Sequence, residues 1–253
     1  MIRIAAVGDV HFAGDAAGTL APHLADLAEH ADVLLLAGDL TRIGRADEAE
    51  ALAAELDGVD VPVLAVLGNH DYHGEQEERI TRTLTDAGVQ VLEGESAIVD
   101  VDGSRLGVAG IKGFGGGFSG ACGTAFGERV MKEFIGYTQD GADVLERALG
   151  EIQDADVRIA LLHYAPVKAT LVGEKLEVYP FLGSYLLAEA IDCAGADLVL
   201  HGHAHRGTEK GVTPGGIHVR NVAQPLIRRA FNLFCLDDQR GVHEPGTVAA
   251  EAR

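Results

Sequence analysis

Cysteine is scarce in this sequence of 253 residues. The three cysteines, Cys122, Cys193 and Cys235, are odd in number, widely separated and never in C-x-x-C spacing. A secreted disulfide framework uses an even, closely spaced set, and a cysteine-ligated zinc site uses paired thiolates. We therefore expect neither feature, and we expect a reducing compartment, the cytoplasm.

Basic residues are also few. The chain has 20 Lys and Arg residues against 39 Asp and Glu residues, which gives a formal net charge of −19 at pH 7. A surface of this charge repels the phosphate backbone of nucleic acids and anionic lipids. We therefore expect no nucleic-acid partner, although bound metal ions could reverse the sign of the charge locally.

Long hydrophobic runs are missing from the sequence as well. No run approaches the roughly 20 apolar residues that a membrane-spanning helix needs. The first fifteen residues, MIRIAAVGDVHFAGD, contain one basic residue and a short apolar run that is soon followed by an acidic residue, Asp9. This is not the pattern of a signal peptide. We expect no membrane association, and no feature predicts an obligate protein partner.

Short apolar runs predict buried strands. They are Arg3–Val7, Val33–Ala37, Val63–Leu67, Arg158–Leu162 and Leu198–Leu200. Near-continuous runs of Val, Ile, Leu and Ala are typical of strands that are buried on both faces. Apolar residues at helical spacing, Leu20 to Ala28 and Ala49 to Leu56, separate the first three runs. The first third of the chain therefore predicts a βαβαβ unit with a parallel sheet.

The middle of the chain predicts a second, antiparallel element. Residues Ser96–Val101 and Leu106–Gly110 flank Asp102-Gly103, a dipeptide that favours a two-residue hairpin turn. A glycine-dense stretch, Gly113–Gly127, precedes a helix predicted within Glu128–Asp154. Late strands are predicted at Ile217–Asn221 and Ala230–Leu236. We interpret residues 1–240 as one domain and residues 241–253 as a polar tail.

Polar residues of metal-binding type follow each of the apolar runs. These segments are Gly8–His11, Gly38-Asp39, Gly68–Asp71, His163 and His201–His205. In an open α/β sheet, ligands bind at the carboxyl ends of the strands, so we expect these segments to converge. The glycines allow the backbone to turn sharply and to approach a ligand closely.

The converging residues form a nitrogen and oxygen donor set without thiolate. Such a set suits Mn, Fe, Zn, Co or Ni better than Ca, and it does not choose among these metals. The candidate ligands are Asp9, His11, Asp39, Asn69, His163, His203 and His205. They are too many for one ion, but two ions would receive four ligands each if one carboxylate bridged them. Two ions about 3.5–4 Å apart can stabilise the attacking and leaving oxygens of a phosphoryl displacement.

The ordered pattern Asp-x-His, Gly-Asp, Gly-Asn-His-Asp, His and Gly-His-x-His resembles the calcineurin-like metallophosphoesterase superfamily. The pattern extends from Asp9 to His205. The five motifs together, in this order, are a specific indication of the family, although each motif alone is a weak one. The resemblance implies an α/β (α+β) fold, a four-layer αββα sandwich of two mixed β-sheets flanked by helices, with a dimetal site at the carboxyl ends of the strands.

The resemblance also implies roles for individual residues. Asp39 would bridge the two metals; Asp9, His11 and His205 would complete one ligand set, and Asn69, His163 and His203 the other. A hydroxide between the ions would attack phosphorus in line. His70 would be the general acid that protonates the departing oxygen, and Asp71 would orient or charge its ring.

Other polar residues near these motifs have simpler interpretations. We expect His201 not to be a ligand, His73 to be an exposed loop histidine, Arg42 to be a solvated arginine at a helix start and Asn221 to be a turn residue. The stretch Gly115–Gly120 matches G-x-G-x-x-G, but it follows a hairpin rather than opening a βαβ unit. We interpret it as a mobile loop that could cover the cleft.

The sequence predicts a metal-dependent phosphoesterase acting on a small phosphate ester. A phosphodiester substrate is favoured because Gly-Asn-His-Asp is common in the phosphodiesterase-like members of the superfamily that this chain resembles. Two alternatives stay open: a phosphomonoesterase that uses the same site, and a non-catalytic metal-binding scaffold. A single-zinc hydrolase is disfavoured by the number of candidate ligands and by the absence of His-Glu-x-x-His.

Overall fold

The fold is described by a computed structural model that covers residues 1–236 and the backbone of residues 242 and 243. The strands are β1 (Ile2–Val7), β2 (Val33–Ala37), β3 (Val63–Val66), β4 (Val89–Val91), β5 (Glu95–Val101), β6 (Ser104–Ile111), β7 (Gly117–Phe118), β8 (Ala121–Cys122), β9 (Val157–Leu162), β10 (Leu198–His201), β11 (Lys210–Val212), β12 (His218–Asn221), β13 (Asn232–Leu236) and β14 (Val242–His243). The α-helices are α1 (Ala21–Leu24), α2 (Leu27–His30), α3 (Ala46–Leu56), α4 (Glu77–Asp86), α5 (Arg129–Glu151), α6 (Tyr179–Leu182), α7 (Tyr185–Ala194) and α8 (Gln224–Ile227).

The first sheet has the strand order β14-β13-β1-β2-β3-β4. Strands β1 to β4 are parallel, and β13 pairs antiparallel with β1. Every residue of β2 is buried, as expected for a strand that is covered on both faces. The predicted βαβαβ unit is therefore present.

The second sheet has the strand order β11-β12-β10-β9-β6-β5. Its central strands are parallel, and β5 and β11 run antiparallel at the two edges. The predicted hairpin joins β5 to β6 through Asp102 and Gly103, whose φ angles are 49° and 86°. Positive φ at both central residues is the geometry that matches the twist of the flanking strands.

Alternate residues of each strand pack into different layers. In β2, Val33 and Leu35 belong to the core between the sheets, whereas Leu34 and Leu36 pack with α3 and α4. On the other side, Leu162 of β9 packs with α5 and α7. This alternation produces four layers in the order αββα, so the expected fold class is confirmed.

Some sequence-based expectations need correction. The sequence did not assign the five apolar runs to particular sheets; β1, β2 and β3 lie in the first sheet, and β9 and β10 lie in the second. A run that is buried on both faces looks the same in either sheet. The helical stripe from Leu20 to Ala28 forms two short helices, α1 and α2, although Leu20, Leu24 and Leu27 are buried as the stripe predicted.

Several elements were not anticipated, among them α4, α7, β4 and β11. The expected tail, residues 241–253, lies outside the described residues except for 242 and 243, whose backbone pairs with β13. Cys122, Cys193 and Cys235 form no disulfide with one another. Within the described part of the chain, no helix combines the length and apolar character that a membrane crossing needs.

Candidate metal centre

The loops at the carboxyl ends of the strands have an unusual backbone conformation. Asp9, His11, Asp39 and His203 adopt the left-handed region, with φ angles of 57°, 43°, 50° and 70°. This region costs a residue with a Cβ atom roughly 1–2 kcal/mol, and such residues cluster at functional sites. Hydrogen bonds fix the first two loops against each other, since the amide of Asp9 donates to the carbonyl of Gly38 at 2.8 Å.

Two glycines allow the side chains of this site to approach the backbone. A Cβ atom on Gly68 would overlap the carboxylate of Asp39, and a Cβ atom on Gly202 would overlap the carboxylate of Asp9. Each glycine directly precedes a candidate ligand, Asn69 or His203. The glycine of each motif is therefore required by the close packing of a carboxylate from another strand end.

One group of donor atoms joins both sheets. Asp9, His11, Asp39 and His205 each offer a ligand atom, and these atoms lie within 4.8 Å of one another. The Nε2 atom of His205 lies 2.8 Å from Oδ1 of Asp9, and the Nε2 atoms of His11 and His205 are 3.5 Å apart. Asp9 and His11 follow β1, whereas His205 comes from the loop after β10.

A second group shares one member with the first. Asp39, His163 and His203 offer ligand atoms within 4.8 Å of one another. Asn69 is close to this group, with its Oδ1 atom 3.0 Å from Nε2 of His163. The Nδ1 atom of His163 lies 2.9 Å from the carbonyl of Ala37; a hydrogen on Nδ1 leaves the lone pair of Nε2 free for a metal.

The ionisation of these side chains suits metal binding. Burial lowers the pKa of His11 to about 4 and that of His203 to about 3, so both imidazoles are neutral near pH 7. Burial, followed by the nearby charge of Asp39, raises the pKa of Asp9 to about 6. The hydrogen bond with Asp9 raises the pKa of His205 instead, and a metal ion on Asp9 would take the place of that proton. Two buried carboxylates facing each other need a compensating cation. The donor set therefore fits divalent metal ions.

His70 lies at the edge of the donor groups. Its amide donates to Oδ1 of Asp39 at 2.8 Å, its Nδ1 lies 2.7 Å from the carbonyl of Arg42, and its Nε2 lies 3.9 Å from Oδ2 of Asp39. The rings of His70 and His11 meet edge to face with centroids 4.5 Å apart. The side chain is 43% exposed, so His70 can contact a molecule that enters from solvent.

Asp71 does not hold the His70 ring, which is one of the two roles that the sequence suggested for it. Its carboxylate is buried and accepts hydrogen bonds from the amides of Leu40, Thr41 and Gly68 and from the hydroxyl of Thr41, at 2.6–3.1 Å. The His70 ring is held instead by the Arg42 carbonyl. The expectation that Asp71 orients this ring is wrong, because Asp71 joins the loop after β2 to the loop after β3.

The other candidates take structural positions. His201 is buried, with Nδ1 2.7 Å from the Gly202 carbonyl and Nε2 2.9 Å from the Thr170 hydroxyl, and it belongs to neither donor group. His73 is exposed. Asn221 is buried and donates from Nδ2 to the Ala204 carbonyl at 2.8 Å, so it supports the loop between His203 and His205.

The glycine-rich stretch packs against the second sheet's loops. Strands β7 and β8 form a short hairpin there, and the amides of Gly116 and Gly117 donate to the carbonyls of Pro180 and Gly183. We expected a loop free to cover the cleft. The structure instead ties this stretch to the segment around α6 by backbone hydrogen bonds.

Sequence reasoning missed a buried lysine beside the second donor group. The Nζ atom of Lys112 lies 4.9–5.5 Å from the ring centroids of Tyr72, Phe114, Tyr137 and Tyr164. The Tyr164 ring in turn lies 4.4 Å from that of His203. Lys112 and its four aromatic neighbours come from four separate segments, so no local sequence pattern could have indicated the cluster.

Comparison with known proteins agrees with this geometry. Residues 2–207 match the calcineurin-like phosphoesterase family, and the chain belongs to that family. No curated protein sequence matches the chain significantly.

Solved structures show the same fold. Phosphopantetheinyl hydrolase from Mycobacterium tuberculosis is 16% identical, with a TM-score of 0.69 over 96% of this chain and 98% of that chain. A putative 5′-nucleotidase from Staphylococcus aureus is 16% identical, with a TM-score of 0.59 over 95% of this chain and 52% of that chain. GAP50 of Plasmodium is 14% identical, with a TM-score of 0.55 over 88% and 72%. At these identities the likeness concerns the fold alone.

Proposed function

We propose that the protein is a dinuclear-metal phosphodiesterase that hydrolyses a small phosphodiester. The observation that carries this proposal is the pair of donor groups that share Asp39. A carboxylate shared between two groups of imidazole and carboxylate donors is the arrangement that holds two divalent ions side by side. Membership of the calcineurin-like phosphoesterase family supports the reaction class.

The proposed ligands divide between two ions. Asp9, His11 and His205 would hold one ion, Asn69, His163 and His203 would hold the other, and Asp39 would contact both. When bound, the ions supply Lewis acidity toward the phosphoryl oxygens and activate the attacking water. Mn, Fe, Zn, Co and Ni all suit this donor set.

His70 is the proposed general acid. Its Nδ1 lies at hydrogen-bond distance from the Arg42 carbonyl, which has no hydrogen to donate, so Nδ1 must carry the hydrogen. A proton on Nε2 then makes the ring an imidazolium, and this proton is the one that can pass to the departing oxygen. Oδ2 of Asp39 lies 3.9 Å from this Nε2.

The test measures hydrolysis of bis-p-nitrophenyl phosphate and p-nitrophenyl phosphate by chelator-treated enzyme that is resupplied with Mn²⁺. Diester turnover should need metal, should exceed monoester turnover, and should fall steeply in Asp39→Ala and His70→Ala. His73→Ala is the matched control, because His73 is exposed nearby. Faster monoester turnover would instead establish a phosphomonoesterase, and two bound ions without any turnover would favour a metal-binding scaffold.

A further inference from the structure

A pocket opens beside the first donor group. Its volume is about 380 Å³, and His11, a proposed metal ligand, forms part of its wall. The pocket lies between the loop after β1, the start of the segment before α3 and the segment around α8. Phe12 and Leu20 contribute apolar surface to it. The space therefore adjoins the candidate metal centre and could hold part of the same molecule.

The charge of this wall is opposite to that of the protein. Three arginines, Arg42, Arg228 and Arg229, line the pocket, and none of the Asp and Glu residues within 1–236 does, although the chain carries a net charge of −19. Arg42 is paired with Asp15 at 2.7 Å. Arg228 and Arg229 are exposed and form no ion pair within residues 1–236. Their guanidinium groups are available to an anion.

The backbone at Arg228 adds a second observation. Arg228 ends the short helix α8 with a left-handed conformation, φ 53° and ψ 39°. Glycine is the residue that adopts this conformation at a helix end without a steric cost. An arginine here is strained by the contact of its Cβ atom with the backbone, and strain of this kind is typical of functional positions.

Two residues of the pocket wall contact the proposed general acid, His70. The Arg42 carbonyl contacts His70, and the His11 ring packs against the His70 ring. A general acid lies next to the departing oxygen. An alcohol that extends past His70 on the side of His11 and Arg42 would reach this wall.

We propose that this pocket binds an anionic group, a carboxylate or a phosphate, on the alcohol that departs from the phosphodiester. Arg228 and Arg229 supply the charge, and the apolar wall accepts the carbon body between the two ends. This inference rests on the proposed function and narrows its substrate class to diesters whose leaving alcohol carries a second negative charge.

The experiment compares two chromogenic diesters on the metal-loaded enzyme. One is ethyl p-nitrophenyl phosphate, and the other has a carboxylate on the departing nitrophenol ring. The measured quantity is kcat/KM for the carboxylated ester divided by kcat/KM for the plain ester. In the double variant Arg228→Gly, Arg229→Gln this ratio should fall about tenfold, because a tenfold change corresponds to the loss of one charge-assisted hydrogen bond. The loss should appear in KM and shrink at high salt. An unchanged ratio would overturn the proposal.

The design separates a lost site from a lost fold. Glycine suits the backbone of residue 228, so the thermal midpoint of the double variant should not fall. Arg147→Gln removes an exposed arginine on α5 and should leave the ratio unchanged.

A binding measurement keeps the pocket testable if neither ester is hydrolysed, an outcome that would count against the proposed function alone. Equilibrium dialysis of the carboxylated nitrophenol with the purified protein should show about tenfold weaker binding in the double variant. Plain p-nitrophenol is the control ligand, and its binding should be the same in both proteins. Equal binding of the carboxylated compound to both proteins would refute the anion pocket.

Discussion

Nε2 of His163 and Oδ1 of Asp39 lie 3.3 Å apart although they follow strands of different sheets. The same imidazole contacts the Ala37 carbonyl through Nδ1, so His163 connects the ends of β9 and β2. The sandwich therefore does more than bury apolar residues. Its two sheets place their strand ends at one edge, where each sheet contributes part of a single donor set.

Asp39→Asn should remove more metal than Asp9→Asn. Asp39 belongs to both donor groups, whereas Asp9 belongs to one, and an amide offers a single oxygen with an N–H₂ group in place of the other. Metal analysis after dialysis should give close to two ions per wild-type chain, about one for Asp9→Asn and fewer for Asp39→Asn. Diester hydrolysis by Asp39→Asn should fall at least about a hundredfold. Equal metal content in the two variants would contradict a shared carboxylate.

Gly202→Ala should disrupt the first donor group for steric reasons alone. The added methyl group would overlap the Asp9 carboxylate and contact the Ala37 carbonyl, both of which are buried. We expect weaker metal binding and a loss of stability of about 2–4 kcal/mol, measured by urea unfolding of the metal-loaded protein.

Gly136→Ala is the matched control for this substitution. Gly136 lies within α5, and a Cβ atom there would meet nothing within 4 Å. Alanine in a helix interior is favoured over glycine, so stability should rise by up to about 1 kcal/mol. If Gly202→Ala behaved like this control, the close approach to Asp9 would be refuted.

The sequence predicted the strands that carry the site because a strand buried on both faces leaves a continuous apolar run. The sequence could not assign those runs to sheets, since β2 and β9 have the same apolar pattern and differ only in the strands with which they pair. The converging strand ends were visible as polar residues after each run. Contacts between segments that are distant in sequence produce no local sequence pattern. The Lys112 cluster and the Arg228 pocket were missed for that reason.

Asp71 is a single residue at which the sequence could not predict the contacts of the side chain. The motif suggested that it acts on its neighbour His70, but four hydrogen bonds direct its carboxylate to Leu40, Thr41 and Gly68. Sequence adjacency gives the order of residues along a loop and not the direction of their side chains. The direction depends on which backbone amides remain without partners in the folded loops.

Asp71→Asn should therefore affect stability rather than proton transfer. The amide can accept through one oxygen only, so some of the buried N–H donors around it lose their partner. We expect a loss of about 2–4 kcal/mol in the free energy of unfolding. The pH dependence of the remaining diester hydrolysis should match that of the wild type. A shifted pH profile with unchanged stability would restore the role of orienting His70.

His201→Gln should flatten the dependence of stability on pH below neutrality. Burial lowers the pKa of His201 to about 4 in the folded protein, against an ordinary value of 6.5. Between these values the unfolded chain binds the proton and the folded chain does not, so acidification destabilises the fold. Between about pH 7 and pH 4.5 this contribution amounts to roughly 2–3 kcal/mol. Glutamine removes the titrating group and keeps a donor and an acceptor for the contacts with Gly202 and Thr170.

The measurement is urea unfolding of the metal-free wild type and the His201→Gln variant at several pH values between these limits. The variant should lose less stability than the wild type as pH falls, because the other buried histidines contribute equally to both proteins and cancel in the difference. His218→Gln, at an exposed position, should keep the slope of the wild type. A constant difference between wild type and His201→Gln across this range would show that His201 does not stay neutral in the folded protein.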